Sequence, residues 1–156
     1  MKTLLLQVGK TVDKHLAACI NDYADRIGHY IPFEICTIPE LKNTKALSEE
    51  QQKEREGEMI LKQLQSGDMV VLLDEHGKEW RSIEFATWLG KKQQSVRRLV
   101  FVIGGPYGFS QAVYGRCDEK LSLSRMTFSH QMVRLIFTEQ LYRACTIIKG
   151  EPYHHE

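Results

Sequence analysis

The most constraining stretch of this 156-residue chain is Leu99-Val-Phe-Val-Ile103, five apolar residues without a polar interruption. A strand with one wet face alternates polar and apolar residues, whereas an unbroken run is buried on both faces, as in a parallel sheet covered by helices. The run stops at Gly104-Gly105-Pro106, two unhindered backbones followed by a residue of fixed φ. Glycines at the carboxyl end of a buried strand let a ligand approach the main chain, at the edge where open α/β sheets bind ligands. The pattern is neither G-x-G-x-x-G nor Walker A. On spacing alone it is either a small-molecule site or an ordinary turn between strand and helix.

The rest of the chain supplies the sheet that such a strand needs. Lys2 to Val8 and Met69 to Leu73 read as further strands, and Ile31 to Ile38 as an edge strand, with Pro32 near its start. Apolar residues at helical spacing (Leu16, Ala17, Ile20, Tyr23, Ala24, Ile27) predict a helix from Asp13 to Ile27 that ends at Gly28. Ser48-Glu-Glu-Gln51 is a capping-box pattern opening a charged helix to about Gln65. Leu41 to Leu47 reads as a polar connection. Helices are expected from Ser82 to Lys92 and from Ser110 to Cys117, with a brief extended segment over Leu121 to Leu123. The last helix is expected over His130 to Ile148 with Ser129 as N-cap. Its polar residues, Arg134, Thr138, Glu139, Arg143 and Thr146, read as a narrow stripe, leaving more apolar surface than one sheet face can cover. A symmetric dimer contact would cover the surplus. Alternating strands and helices predict one α/β domain over residues 1–156, a mostly parallel sheet flanked by helices.

Composition excludes several classes. The net charge of +1 argues against indiscriminate nucleic-acid binding, but it is unevenly spread. Residues 1–76 hold 9 basic and 13 acidic side chains, residues 77–156 hold 12 and 7. An anionic partner on the carboxyl-terminal half is the reading this favours. No segment is long and apolar enough to span a membrane. The opening apolar run is too short for a signal peptide and has no cleavage site. Cys19, Cys36, Cys117 and Cys145 are scattered without metal-ligand spacing, which predicts reduced thiols, no metal and a cytoplasmic location.

Four motifs in order, Ile103-Gly-Gly-Pro-Tyr-Gly108, Leu123-Ser-Arg-Met-Thr-Phe-Ser-His130, Glu139-Gln-Leu-Tyr-Arg143 and Pro152-Tyr-His154, closely resemble one family. It is the ribosomal large-subunit pseudouridine N3-methyltransferase family of the SPOUT superfamily. The resemblance covers the whole chain, including the opening strand and the helix with Glu56-Gly-Glu58. It implies a trefoil-knotted carboxyl-terminal region, S-adenosylmethionine as cofactor, a homodimer, and methylation of N3 of a pseudouridine in 23S ribosomal RNA on the assembled ribosome. The cofactor residues implied are Leu73, Gly104 and Gly105, and Leu123, Ser124, Arg125, Met126, Thr127 and Phe128. Among catalytic residues, His130 and His154 are candidates for taking the imide proton. Arg143 is a candidate for binding phosphate or a developing oxyanion, its alternative being a surface pair with Glu139. Tyr153 is a candidate for contacting RNA; by position alone, the tail that carries it would be loose. Where the family commonly has proline before His130, this chain has Ser129, which puts the rigidity of that turn in question. A noncatalytic ribosome-binding module and a transfer-RNA methyltransferase are the competing readings.

Overall fold

The computed structural model describes residues 1–155; Glu156, the end of the expected single domain, lies outside them. Five strands, β1 (Lys2–Val8), β2 (Phe33–Ile38), β3 (Met69–Glu79), β4 (Arg98–Ile103) and β5 (Glu119–Ser122), form one sheet in the order β2-β1-β4-β3-β5. Every pairing between these strands is parallel. Helices α1 (Lys14–Gly28), α3 (Ser82–Ser95) and α5 (Met132–Lys149) cover one face, and α2 (Glu49–Gln63) and α4 (Gln111–Arg116) the other.

The unbroken apolar runs are explained by this sandwich. Successive side chains of a strand point to opposite faces. Leu99, Phe101 and Ile103 therefore pack with Phe85, Leu89, Phe137 and Leu141. Val100 and Val102 join Leu4, Leu6, Ile60 and Val113 on the far side. All five residues of the run are at most 3% exposed. β2 lies at an edge of the sheet, as the proline in its approach suggested, and only its last residue, Ile38, is buried.

The sequence reading needs correction at several places. β3 does not stop at Leu73. Leu73 and Lys78 both register with Leu121, so Asp74 to Gly77 arch out as a bulge before pairing resumes. Gly77 sits where a Cβ would lie 2.6 Å from the Leu121 nitrogen, so no side chain fits against the β5 backbone there. α1 ends by backbone bonds from the His29 N–H to the Arg26 and Ile27 carbonyls, with His29 in αR, not through a left-handed Gly28. The connection over 41–47 contains a short 3-10 turn, Thr44–Ala46. The polar stripe of α5 is not a solvated one: Arg134, Thr138 and Thr146 are buried. Thr138 and Thr146 satisfy their hydroxyls on carbonyls of the preceding turn. The guanidinium of Arg134 donates to the carbonyls of Val8 (2.8 Å) and His130 (3.0 Å) and to the Thr11 hydroxyl (3.1 Å). It thereby ties β1, the following loop and the start of α5 together.

Candidate functional site

Because the strands are parallel, the bulge in β3 and the loops that leave β4 and β5 lie at the same edge of the sheet. They enclose a cavity of about 620 Å³, within the range of about 300–1,000 Å³ usual for small-molecule sites. Leu73 comes from β3 at the start of its bulge, Gly104 and Gly105 from the loop after β4, and Leu123, Ser124, Met126, Thr127 and Phe128 from the loop after β5. His130 and Val133 close the rim from the start of α5. The structure thus brings together residues separated by up to 57 positions that sequence reading had grouped only by resemblance. Arg125 is the exception. Its side chain is 89% exposed and pairs with Glu79 at 3.1 Å, an exposed contact of little energetic weight.

The turn before α5 does not depend on a proline. The Ser129 hydroxyl accepts from the Met132 N–H (3.0 Å) and its carbonyl from Val133 (3.0 Å), so Ser129 caps the helix although regular α geometry begins at Met132.

One wall was not anticipated. The bulge places Asp74, Glu75 and His76 on the cavity, whose lining also includes Tyr107, Tyr114 and Lys53 of α2. The Asp74 side chain is 5% exposed. It accepts from the Tyr114 hydroxyl and from the His76 N–H (2.8 Å). Burial pushes its carboxyl up, but the Tyr114 and His76 bonds outweigh this and hold it below the ordinary aspartate value. Burial, then the bond to Asp74, pushes the Tyr114 phenol well above its usual range. The cavity therefore carries a fixed anion beside a fixed neutral hydroxyl. The sequence signal was Gly77, a lone glycine among polar residues just after an apolar strand, which is a bulge signature.

Arg143, Tyr153 and His154 do not line this cavity. They form a second cluster on the outer side of α5 with Glu139. Arg143 donates to Glu139 Oε1 through Nη2 (2.6 Å) and Nε (3.1 Å), the surface-pair alternative realised. It also has Nη1 at 3.1 Å from His154 Nδ1, and its guanidinium lies 4.9 Å from the centre of the Tyr153 ring. Arginine has only donors, so Nδ1 of His154 accepts and its ring proton resides on Nε2. In this arrangement His154 could act as a base only by leaving Arg143. The Tyr153 hydroxyl donates to Glu139 (3.0 Å), and its ring packs edge-on against Tyr142. The tail is docked, not loose. Met132, at the cavity end of α5, and Arg143 are separated by about 16 Å along the helix, at 1.5 Å per residue.

Comparison with known proteins gives a consistent picture. The family described as "Predicted SPOUT methyltransferase" matches residues 1–154. Proteins named ribosomal RNA large subunit methyltransferase H are 65% identical in Bacteroides fragilis, 64% in Phocaeicola vulgatus and 55% in Flavobacterium johnsoniae, each over 100% of both chains. Among solved structures, a probable methylase family protein from Haemophilus influenzae matches with a TM-score of 0.50 at 13% identity, over 99% of this chain and 70% of that one. That likeness bears on the fold alone.

Proposed function

As the chain belongs to the SPOUT methyltransferase family, we propose that it methylates N3 of a pseudouridine in the 23S RNA of the large ribosomal subunit, in the cytoplasm, with S-adenosylmethionine as donor. The observation that carries this reading is the cavity built from the bulge in β3 and the loops after β4 and β5, with two glycines in its floor. Its residues fit the donor. Gly104 and Gly105 admit a ligand to the main chain, Leu73, Met126 and Phe128 offer apolar contact, and the backbone of 123–128 offers groups for an adenine edge. The Asp74 carboxylate suits a ligand with a positive centre. S-adenosylmethionine supplies a methyl group already activated on a sulfonium. What remains for the protein is alignment, exclusion of water and removal of the imide proton. His130, at the cavity rim, is the residue we assign to the proton.

The Arg143 cluster needs a second copy of the chain to take part. Met132, Leu135 and Ile136 share the outer side of α5 with Glu139 and Arg143, and Met132 is 43% exposed. Val12, 73% exposed, lies beside them, its N–H bonded to the Gln131 side chain. Two α5 helices packed antiparallel about the level of Thr138 would set Arg143 of one copy at the level of Val133 of the other. A homodimer would then put Arg143 and Tyr153 beside the partner's cavity, where a guanidinium can hold phosphate or an oxyanion. The trefoil knot belongs to the same proposal.

The test is transfer of labelled methyl to large subunits or ribosomes lacking the modification, followed by mass mapping of the RNA. A new methyl group on a 23S pseudouridine supports the reading. Transfer to transfer RNA instead, or no transfer by a ribosome-bound protein, would replace it with one of the competing readings. For the shared site, Thr127→Trp, which fills the cavity from an exposed position, and Arg143→Ala are each expected to be inactive. Mixed dimers should recover activity in one of their two sites; no recovery in verified heterodimers would refute sharing.

A further inference from the structure

Helix α2 contains a buried acid that neither the cavity's lining nor the Arg143 cluster uses. Glu56 is 4% exposed although it follows two mostly exposed turns, and its neighbour Gly57 is buried too. Glu56 Oε1 has no hydrogen-bond partner, and Oε2 takes only a long bond from Gln52 (3.4 Å). A carboxyl group left so poorly satisfied is costly, and a methionine would fill the space without that cost. Burial, reinforced by the charge of Glu40, raises its pKa against the opposing bond from Gln52, which favours the neutral acid.

What the carboxyl touches suggests its use. A Cβ on Gly105 would lie 2.4 Å from Oε1 and 2.8 Å from Oε2. The acid thus occupies the space of a side chain at Gly105, on the side of the loop away from the cavity. One residue on, a Cβ at Gly57 would lie 2.3 Å from the Ser110 hydroxyl, which caps α4 by accepting from Val113 (3.3 Å). Two successive positions of α2 are therefore seated on the two ends of the segment 105–110. The other side of that segment is the cavity floor.

We propose that Glu56 is a positioning residue, whose carboxyl fills the place of a side chain at Gly105 and holds the Gly104–Gly105 backbone in the shape that receives the cofactor. Its free oxygen is available to the loop N–H groups as they settle around a bound ligand. The inference rests on the reading of the cavity as the S-adenosylmethionine site.

Calorimetric titration with S-adenosylmethionine tests it, together with amide exchange over 104–108 in the ligand-free protein and thermal melts. Glu56→Ala should weaken binding by about tenfold and speed exchange in the loop, whereas Glu56→Gln, which keeps a polar oxygen there, should stay within about threefold of the parent. Gly105→Ala should weaken binding as well, because its methyl meets the carboxyl. In Glu56→Ala/Gly105→Ala the methyl enters the vacated space, so the two losses should not add. Additive losses, an unaffected Glu56→Ala variant, or a Glu56→Gln variant as weak as Glu56→Ala would each overturn the proposal. Should Glu56→Ala not fold, Glu56→Ser, which also leaves the space at Gly105 empty, takes its place, and binding within about threefold of the parent would again overturn it. If the unmodified protein binds no S-adenosylmethionine, the reading of the cavity fails and not this inference alone.

Discussion

Arg134→Met is the perturbation that best tests how the start of α5 is fastened to the sheet. The parent side chain is fully buried and makes three hydrogen bonds from a guanidinium. Bonds to charged groups contribute about 1.5–3 kcal/mol each before the cost of burying the charge is set against them. That cost is considerable, since burial depresses the Arg134 pKa and only Glu40, itself exposed, opposes it. Methionine fills most of the volume and removes the charge, but strips the Val8 carbonyl and the Thr11 hydroxyl of a donor. Orphaned buried acceptors cost about 1–3 kcal/mol apiece, so a net loss of about 3 kcal/mol is expected. For a chain of this size that is roughly 6–12 °C in melting temperature. Circular dichroism melts at one fixed protein concentration measure it, because any dimerisation makes the midpoint concentration-dependent. Arg134→Lys should be nearly as destabilised, since one ammonium cannot span acceptors on Val8, Thr11 and His130 as a planar fork does. A methionine variant melting within about 2 °C of the parent would refute the reasoning.

Removing residues 153–156 should leave the sheet and cofactor binding intact and abolish methyl transfer, measured by calorimetry and labelled transfer; full activity of the truncated protein would contradict a role for Tyr153 and His154. Asp74→Asn should be less stable than the parent near neutral pH, and the gap should close as pH falls. The depressed carboxyl contributes stability above the unfolded aspartate value, which is lost as pH falls through the lower folded one; urea melts at pH 3 and pH 7 that differ by the same margin would count against it. Cys19, which is exposed, should react with iodoacetamide in the folded protein, while Cys145, with burial lifting its thiol to about 12, should not; peptide mapping reads both.

How much was legible depended on whether the signal was local. The three central strands announced themselves because burial on both faces requires uninterrupted apolar residues. The Ser48 cap was visible because its partner, Gln51, is three residues away, and both reciprocal bonds form. The orientation of α5 was not legible. Arg134 and Thr138 look like a wet stripe on a helical wheel, and only the position of the Val8 carbonyl and the 9–13 loop reveals that they face inward. The Asp74 wall was hidden likewise, since its arch exists only in register with Leu121. Glu56 was quoted as part of a motif, but its meaning lies in a contact with Gly105 that no spacing along the chain encodes.

The separation of the two clusters carries the strongest constraint on how such a protein can work. A rigid helix holds Arg143 about 16 Å from Met132 at the cavity end of α5, and α5 cannot bend to bring the two clusters together because its inner side is locked by Phe137, Leu141 and Cys145 against the sheet. Among the described residues, then, the cavity lining has a glycine floor, an acid and a histidine but no arginine: Arg125 turns outward to Glu79, and Arg134 is spent on backbone carbonyls. Arg143 is the arginine whose outward position lies on the helix side that also bears Met132, Leu135 and Ile136. Its bonds to Glu139 and His154 hold the guanidinium in a fixed pose, so little order remains to be imposed when a phosphate or an oxyanion arrives. Within one chain the Glu139 carboxylate offsets the Arg143 charge, so what the cluster offers an arriving anion is a directed set of donors and not a concentration of positive charge.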